Sequence, residues 1–324
     1  MFKFLLRRFM SLLPVVIIIS IMLFGVFKAM PGDPIRLMIP PGIKSEAQRQ
    51  AIYEAKVKQF GLDKSLPEQY VRWVGNMLQG EFGTSTAFNK PVAEVSQTPL
   101  MSSIRLNVFV VVFSFVIAIP VGIRYAVKRH SLFDSFWQVF ALVGLSMPVF
   151  FIGLLLIYGL AINLRLFPAG GMPFCLTGDF FGDMFQWARY MVLPVLTLTI
   201  GSLAGTIRYV RNAMIEVISR DYIRTARSKG LTEKVIIYSH AFRNALIPVV
   251  TMVAGSIVGL FGGAAITETI FAWNGIGYVL ITSLNSRDYM VVLTMNMFYA
   301  VLSLSANILM DIGYALVDPR IKLK

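Results

Sequence analysis

The feature that most limits what this chain can become is the recurrence of apolar stretches as long as a bilayer is thick. The first, Phe9 to Phe27, carries no charged residue over about 19 positions. An α-helix rises about 1.5 Å per residue, so ~20 residues cross the roughly 30 Å of hydrocarbon. Five more stretches of that order follow: Asn107 to Ala126, Phe136 to Ile162, Tyr190 to Tyr209, Leu246 to Thr267 and Met290 to Leu309. With 56% hydrophobic and 15% charged residues, against about 25% charged in soluble domains, one water-soluble core would not hold them all. The expected class is an all-α integral membrane protein with about six transmembrane helices. Ser146-Met-Pro148, inside the third stretch, is expected to kink its helix.

Lys3, Arg7 and Arg8 precede the first stretch, as in a secretory signal. The stretch is too long for a signal's apolar region, and Lys28-Ala-Met-Pro-Gly-Asp-Pro34 follows with no small-residue cleavage site. It is read as an uncleaved span. Residues 31–100 form a polar insertion of mixed charge, and a long loop translocates regardless of charge, so it is placed outside. Ser45 and Gln48 have capping-box spacing for a helix stopped by Gly61. Pro67 opens a second helix whose Tyr70, Trp73, Val74 and Met77 share one face before Gly80. The insertion is expected to cap the bundle rim or to contact a delivery protein.

The net charge of +13 would suggest nucleic acid in a soluble chain, but no basic patch interleaved with aromatics is visible. The placement of the cations explains the excess. Three lie near the N-terminus, three around Lys128, eight from Arg208 to Arg243 and three in the tail; the short loops on the other side hold only Arg165, Arg189 and Arg287. The positive-inside rule puts both termini in the cytoplasm.

A single cysteine, Cys175, excludes an intrachain disulfide. His130 and His240 lie far apart, short of the three or four convergent ligands a metal site needs. No Gly-x-x-x-x-Gly-Lys-Ser/Thr loop, His-Glu-x-x-His or nucleophile motif occurs, so neither catalysis nor a bound cofactor is expected of this chain. No span holds a charge at its centre as a proton or sodium relay would, and no inverted repeats are evident, which weighs against an ion-coupled secondary transporter. Candidate pathway-lining groups are Asn107, Asn296 and Asn307, with interhelical hydrogen bonding as their other reading; Asp311 is placed at the inner interface.

The segment between the fourth and fifth stretches is the most informative. It reads Arg220-Asp-Tyr-Ile-Arg-Thr-Ala-Arg-Ser-Lys-Gly230, then Leu-Thr-Glu-Lys-Val-Ile-Ile-Tyr-Ser-His240 and Ala-Phe-Arg-Asn-Ala-Leu-Ile-Pro248. Asp221 is placed to cap a short helix that Gly230 ends, and Thr232 to cap a second. Tyr222, Ile223 and Ala226 would form an apolar strip ringed by Arg224, Arg227 and Lys229. Two readings fit: docking into the groove of a cytoplasmic partner, or lying on anionic headgroups.

These residues resemble the cytoplasmic loop of ABC-importer permeases, in which a Glu-Ala-Ala triplet precedes a glycine at a fixed distance. Here Arg224-Thr225-Ala226 stands before Gly230, and no Leu-Pro lies near Phe242-Arg243. Both departures match the peptide and nickel permease branch. Pro31-Gly-Asp-Pro34, Gly80-Glu-Phe-Gly83, Leu145-Ser-Met-Pro148, Phe167-Pro-Ala-Gly-Gly171, Glu268-Thr-Ile-Phe-Ala-Trp-Asn-Gly-Ile-Gly277, Arg287-Asp-Tyr289, Asp311-Ile-Gly-Tyr314 and Asp318-Pro-Arg320 are similar to the same branch.

The resemblance covers almost the whole chain and implies a type I importer permease fold. Residues 1–30 would be the N-terminal tip and first span, 31–100 the extracytoplasmic loop, 101–310 a five-span core with a coupling loop at 210–247, and 311–324 a cytoplasmic tail. It implies half of a heterodimeric pathway for oligopeptides or dipeptides in a bacterial plasma membrane, with nickel-chelate, glutathione or another small solute as alternative cargo. The implied partners are a homologous second permease, one or two cytoplasmic ATPase subunits carrying ATP and Mg, and an extracytoplasmic substrate-binding protein. Asp221, Tyr222, Arg224, Thr225, Ala226, Lys229, Gly230 and Leu231 would form the coupling loop seated on the ATPase.

Overall fold

The computed structural model describes residues 2–29, 36, 39, 42, 43, 45–173 and 178–317. Pro31-Gly-Asp-Pro34, Cys175, Asp318-Pro-Arg320 and the side chains of Asn307 and Asp311 lie outside the described residues. Within them every long element is a helix, and the β pairing is one isolated bridge between Thr84 and Pro91. The chain gathers into two units, Met1–Leu100 with Val279–Ser305 and Met101–Tyr278 with Ala306–Lys324.

In the first unit, α1 (Phe2–Ala29) leaves Ile17, Ile18, Ile21, Met22 and Val26 exposed, apolar surface that a bilayer must cover. Helix α2 (Glu46–Phe60) begins after Ser45 and stops at Gly61, whose φ of 65° is the left-handed turn expected there. The capping box expected at Ser45 does not form, since its hydroxyl makes no cap bond. A reciprocal cap forms on α3 (Leu66–Leu78), where Ser65 N donates to the Glu68 carboxylate at 3.3 Å. The aromatic face of α3 lies on the last turns of α1. Tyr70 bonds Ser20 at 2.7 Å, Phe24 meets the Tyr70 and Trp73 rings at 5.6 and 5.8 Å, and the Lys28 ammonium donates to Gln69. A turn closed by Val92 N to Gly83 O at 3.0 Å then leads into α4 (Val92–Val127).

In the second unit, α4 is followed by α5 (Leu132–Ser146) and α6 (Val149–Leu156), the latter running on as π-helix through Ile157–Asn163. Helix α7 (Phe180–Ile218) is the pillar, with 56% of its spanning window buried. Glycines let neighbours approach it: a Cβ on Gly122 would stand 2.7 Å from Val210, and one on Gly201 2.8 Å from Val149. At Ser146-Met-Pro148 the third stretch turns through 104°, which corrects the expectation of a merely kinked rod. Met147, held extended by the following proline, ends α5, and Pro148 begins α6.

After α8 (Asp221–Ser228), a continuous helical path runs through α9 (Glu233–Val235), the π-helical Ile236–Phe242 and α10 (Arg243–Gly259). The fifth span therefore starts inside the expected second cytoplasmic helix and ends short of Thr267, where Gly263 takes a φ of 54°. Short helices α11 (Ala265–Ile270) and α12 (Ile276–Asn285) precede α13 (Tyr289–Val317). Among the described residues, helices α1, α4 and α7 are each long and apolar enough to cross a membrane, the two bent pairs raise the number to five, and the start of α13 is a shorter apolar stretch, Tyr289–Ser305.

Candidate coupling surface

Helix α8 is short, eight residues, and would be marginal alone; tertiary packing holds it. Ile223 is 0% exposed and Ala226 7%, and both enter one cluster with Ile123 and Ala126 of α4, Val210 and Met214 of α7, and Ile236, Ala241 and Ala245 beyond. This corrects the expected apolar docking strip: Ile223 and Ala226 point inward, and of the three only Tyr222 stays outside. Asp221 is the first helical residue rather than the cap, which is Arg220, and Thr232 makes no side-chain cap bond.

What α8 leaves free is a mostly polar face. Asp221, Tyr222, Arg224, Thr225, Lys229, Gly230 and Leu231 are all exposed. Gly230 has φ 76° and open space where a Cβ would go, so backbone conformation, not crowding, calls for glycine. Arg227 closes the turn by donating from Nε to Glu233 at 2.8 Å, a hydrogen bond that raises its pKa further. A second clamp lies beside it. Arg211 of α7 donates to Asp134 at 3.0 Å and stacks 4.2 Å over the Tyr125 ring, while the other Asp134 oxygen accepts His130 N at 2.9 Å. The turn between α4 and α5 is thereby pinned to α7.

Residues 118–323 match the model of the binding-protein-dependent transport system inner membrane component, and residues 1–104 match the N-terminal model of the same components. The chain belongs to this family. The permease is 38% identical to the oligopeptide transport system permease protein AppB of Bacillus subtilis, over 99% of this chain and 100% of AppB. It is 37% identical to the dipeptide permease DppB of Escherichia coli K12 and 32% identical to the glutathione permease GsiC of Salmonella paratyphi A, each over 100% of both chains. Its fold is similar to a chain of the inward-facing MetNI methionine ABC transporter, with TM-score 0.50 and 17% identity over 68% of this chain and 96% of that one.

Two carboxylates of the permease, one in Glu268–Gly277 and one in Arg287-Asp-Tyr289, are buried knots. Glu268 is 0% exposed; its Oε1 accepts Ser103 Oγ at 2.7 Å and Ala264 N at 3.1 Å, and its Oε2 accepts Tyr278 N at 3.0 Å. Gly275 and Gly277 pack against it, where a Cβ would come within 2.5 and 2.9 Å of its carboxylate. Asp288, also 0% exposed, accepts from Ser85 Oγ and from Ala87 N at 3.1 Å, tying the Gly83–Val92 turn to the start of α13. For Glu268, an acidic residue embedded in apolar sequence without a nearby cation is the signal that points to such a site; Asp288, next to Arg287, carries no such signal.

Of the expected pathway asparagines, Asn107 donates to Gly259 O and Leu260 O at 3.4 and 3.0 Å, the interhelical bonding that was its other reading. Asn296 donates to Val292 O one turn back at 2.8 Å. Among the described residues no group of three or more His, Cys, Asp and Glu could hold a metal ion.

Proposed function

We propose that this permease is one half of a heterodimeric peptide pathway in the bacterial inner membrane, worked by separate ATPase subunits through α8. Full-length relatives named for oligopeptide and dipeptide transport support the cargo, and the glutathione relative supports that tripeptide as the second reading. The distribution of Lys and Arg supports cytoplasmic termini and a cytoplasmic α8. ATP and Mg belong to the ATPase partners, a second permease closes the pathway, and an extracytoplasmic binding protein delivers the cargo.

The observation that carries the mechanism is the clamped α8. Swinging a gate from mostly closed to mostly open takes ~5.5 kcal/mol of differential interaction, and one exposed ion pair supplies only ~0–1 kcal/mol. The work must come from a partner's closure, and a floppy loop would absorb the displacement. A helix whose Ile223 and Ala226 are locked into the bundle passes it on. Gly230→Pro and Ala226→Asp test this in a complex reconstituted in liposomes: ATP hydrolysis should continue while import falls to background. ATP-coupled import that persists in both variants would count against α8 as the coupling element.

A further inference from the structure

We infer that a pocket at the end of α7 remote from α8 binds the phosphate group of a membrane lipid. The pocket encloses about 510 Å³ and is lined by Arg165, Phe167, Pro168, Gln186, Arg189 and Tyr190 among others. Two cations facing one pocket repel each other unless an anion lies between them, and neither has a carboxylate partner among the described residues. The short loops on this side hold only these arginines and Arg287, so their convergence on one cavity is not a by-product of general basicity. The guanidinium fork suits a phosphate, which it meets with paired charge-assisted hydrogen bonds.

The backbone favours the same reading. Arg165 sits at φ 52°, in the left-handed region that non-glycine residues rarely occupy, immediately after the π-helical turn Ile157–Asn163. Leu164 N to Gly159 O at 3.1 Å and Leu166 N to Leu160 O at 2.9 Å hold that reversal in place. Glycine would take this conformation without strain, yet the position carries the long cationic side chain that reaches the pocket.

The level of the pocket selects a lipid over a soluble anion. Arg189 directly precedes the apolar run that starts at Tyr190, and Arg165 stands two residues beyond the end of the arm formed by α6 and its π-helical continuation. Both cations therefore stand at the ends of apolar runs beside aromatic residues, Arg189 two positions after Trp187 and Arg165 two before Phe167, the pattern of the interface where headgroup phosphates lie, and Tyr190 suits the same level. Beside the pocket Tyr158, Ile162, Leu164 and Leu166 are each more than half exposed, a surface matched to acyl chains and poorly suited to water.

The test is native mass spectrometry of the full-length chain, with the subunits that stay attached, in mild detergent titrated with phosphatidylglycerol. An uncharged diglucosyl lipid, sodium phosphate and a tripeptide serve as competitors. The wild type should hold one phosphatidylglycerol that the glycolipid, phosphate and tripeptide do not displace. R165Q/R189Q should weaken it roughly thirtyfold, about fivefold for each cation. R165K/R189K, which keeps the charge and guards against a folding artefact, should fall between the two. Equal retention by wild type and both variants would overturn the proposal. So would displacement by sodium phosphate, which marks a free-anion site, or by the tripeptide, which marks a substrate site.

Discussion

Ile223→Ala separates the packing of α8 from its outer face. Ile223 is wholly buried in the cluster that joins α8 to α4, α7 and the start of the fifth span. Removing a buried isoleucine side chain costs ~2–5 kcal/mol, depending on how far the site collapses. A loss of ~3 kcal/mol raises the undocked population of α8 roughly a hundredfold, and it removes more than half of the ~5.5 kcal/mol that a gate swing requires. Hydrogen exchange at the α8 amides, Lys229 N bonded to Thr225 O and Gly230 N bonded to Arg227 O, reads the undocking directly. Peptide imported per ATP hydrolysed, measured in the same liposomes, reads the coupling. The ratio should collapse as exchange accelerates. Tyr222→Ala, at a position 46% exposed, is the contrasting change: exchange should stay slow while partner affinity drops. Accelerated exchange in Ile223→Ala with an unchanged ratio would refute the argument that a firmly packed helix is needed.

The remaining expectations concern the clamps. Asp134→Ala should cost about 3 kcal/mol in thermal unfolding, because it strips a mostly buried guanidinium of its partner and unties His130 N; adding Arg211→Gln should cost little more, and additive losses would show the pair uncoupled. Glu233→Gln should move stability by less than ~1 kcal/mol and less still in high salt, since both side chains of that ion pair are largely exposed. Glu268→Gln should cost roughly 1–3 kcal/mol, because an amide group would face the partly buried Tyr278 N–H and leave that donor unpaired; unfolding no earlier than wild type would remove Glu268 as a structural knot.

The all-helical class with several apolar spans, the aromatic face of α3, the stop at Gly61 and the turn at Gly230 were legible in the sequence because each depends on local chemistry: apolar length, ring spacing, or a backbone that only glycine adopts easily. The sharp turn at Pro148 was only half legible. Proline announces a break, but the angle depends on what the second arm packs against, and α6 turns back along α7 through Gly153 and Gly201. The inward face of α8 was misread for a related reason. Tyr222, Ile223 and Ala226 are neighbours on a helical wheel, yet which of them meets the bundle depends on where α4 and α7 stand, and no local pattern contains that. The roles of Glu268 and Asp288 were not legible, since their partners are backbone N–H groups and serines 165 and 203 residues away.

The clamps also bear on how motion would spread. Were α8 joined only to its sequence neighbours, a push on its exposed face would reach α7 and α10 alone. Ile223 and Ala226 also touch the cluster that includes Ile123 and Ala126, and Arg211 fixes Asp134 beside the α4–α5 turn. Closely packed side chains transmit strain because they are dense and have few alternative arrangements. A displacement of α8 must therefore carry the ends of α4, α5 and α7 with it as a block. The same cluster takes in Ile236, Ala241, Ala245 and Val249, so the π-helical Ile236–Phe242 and the fifth span on both sides of its 47° bend belong to that block.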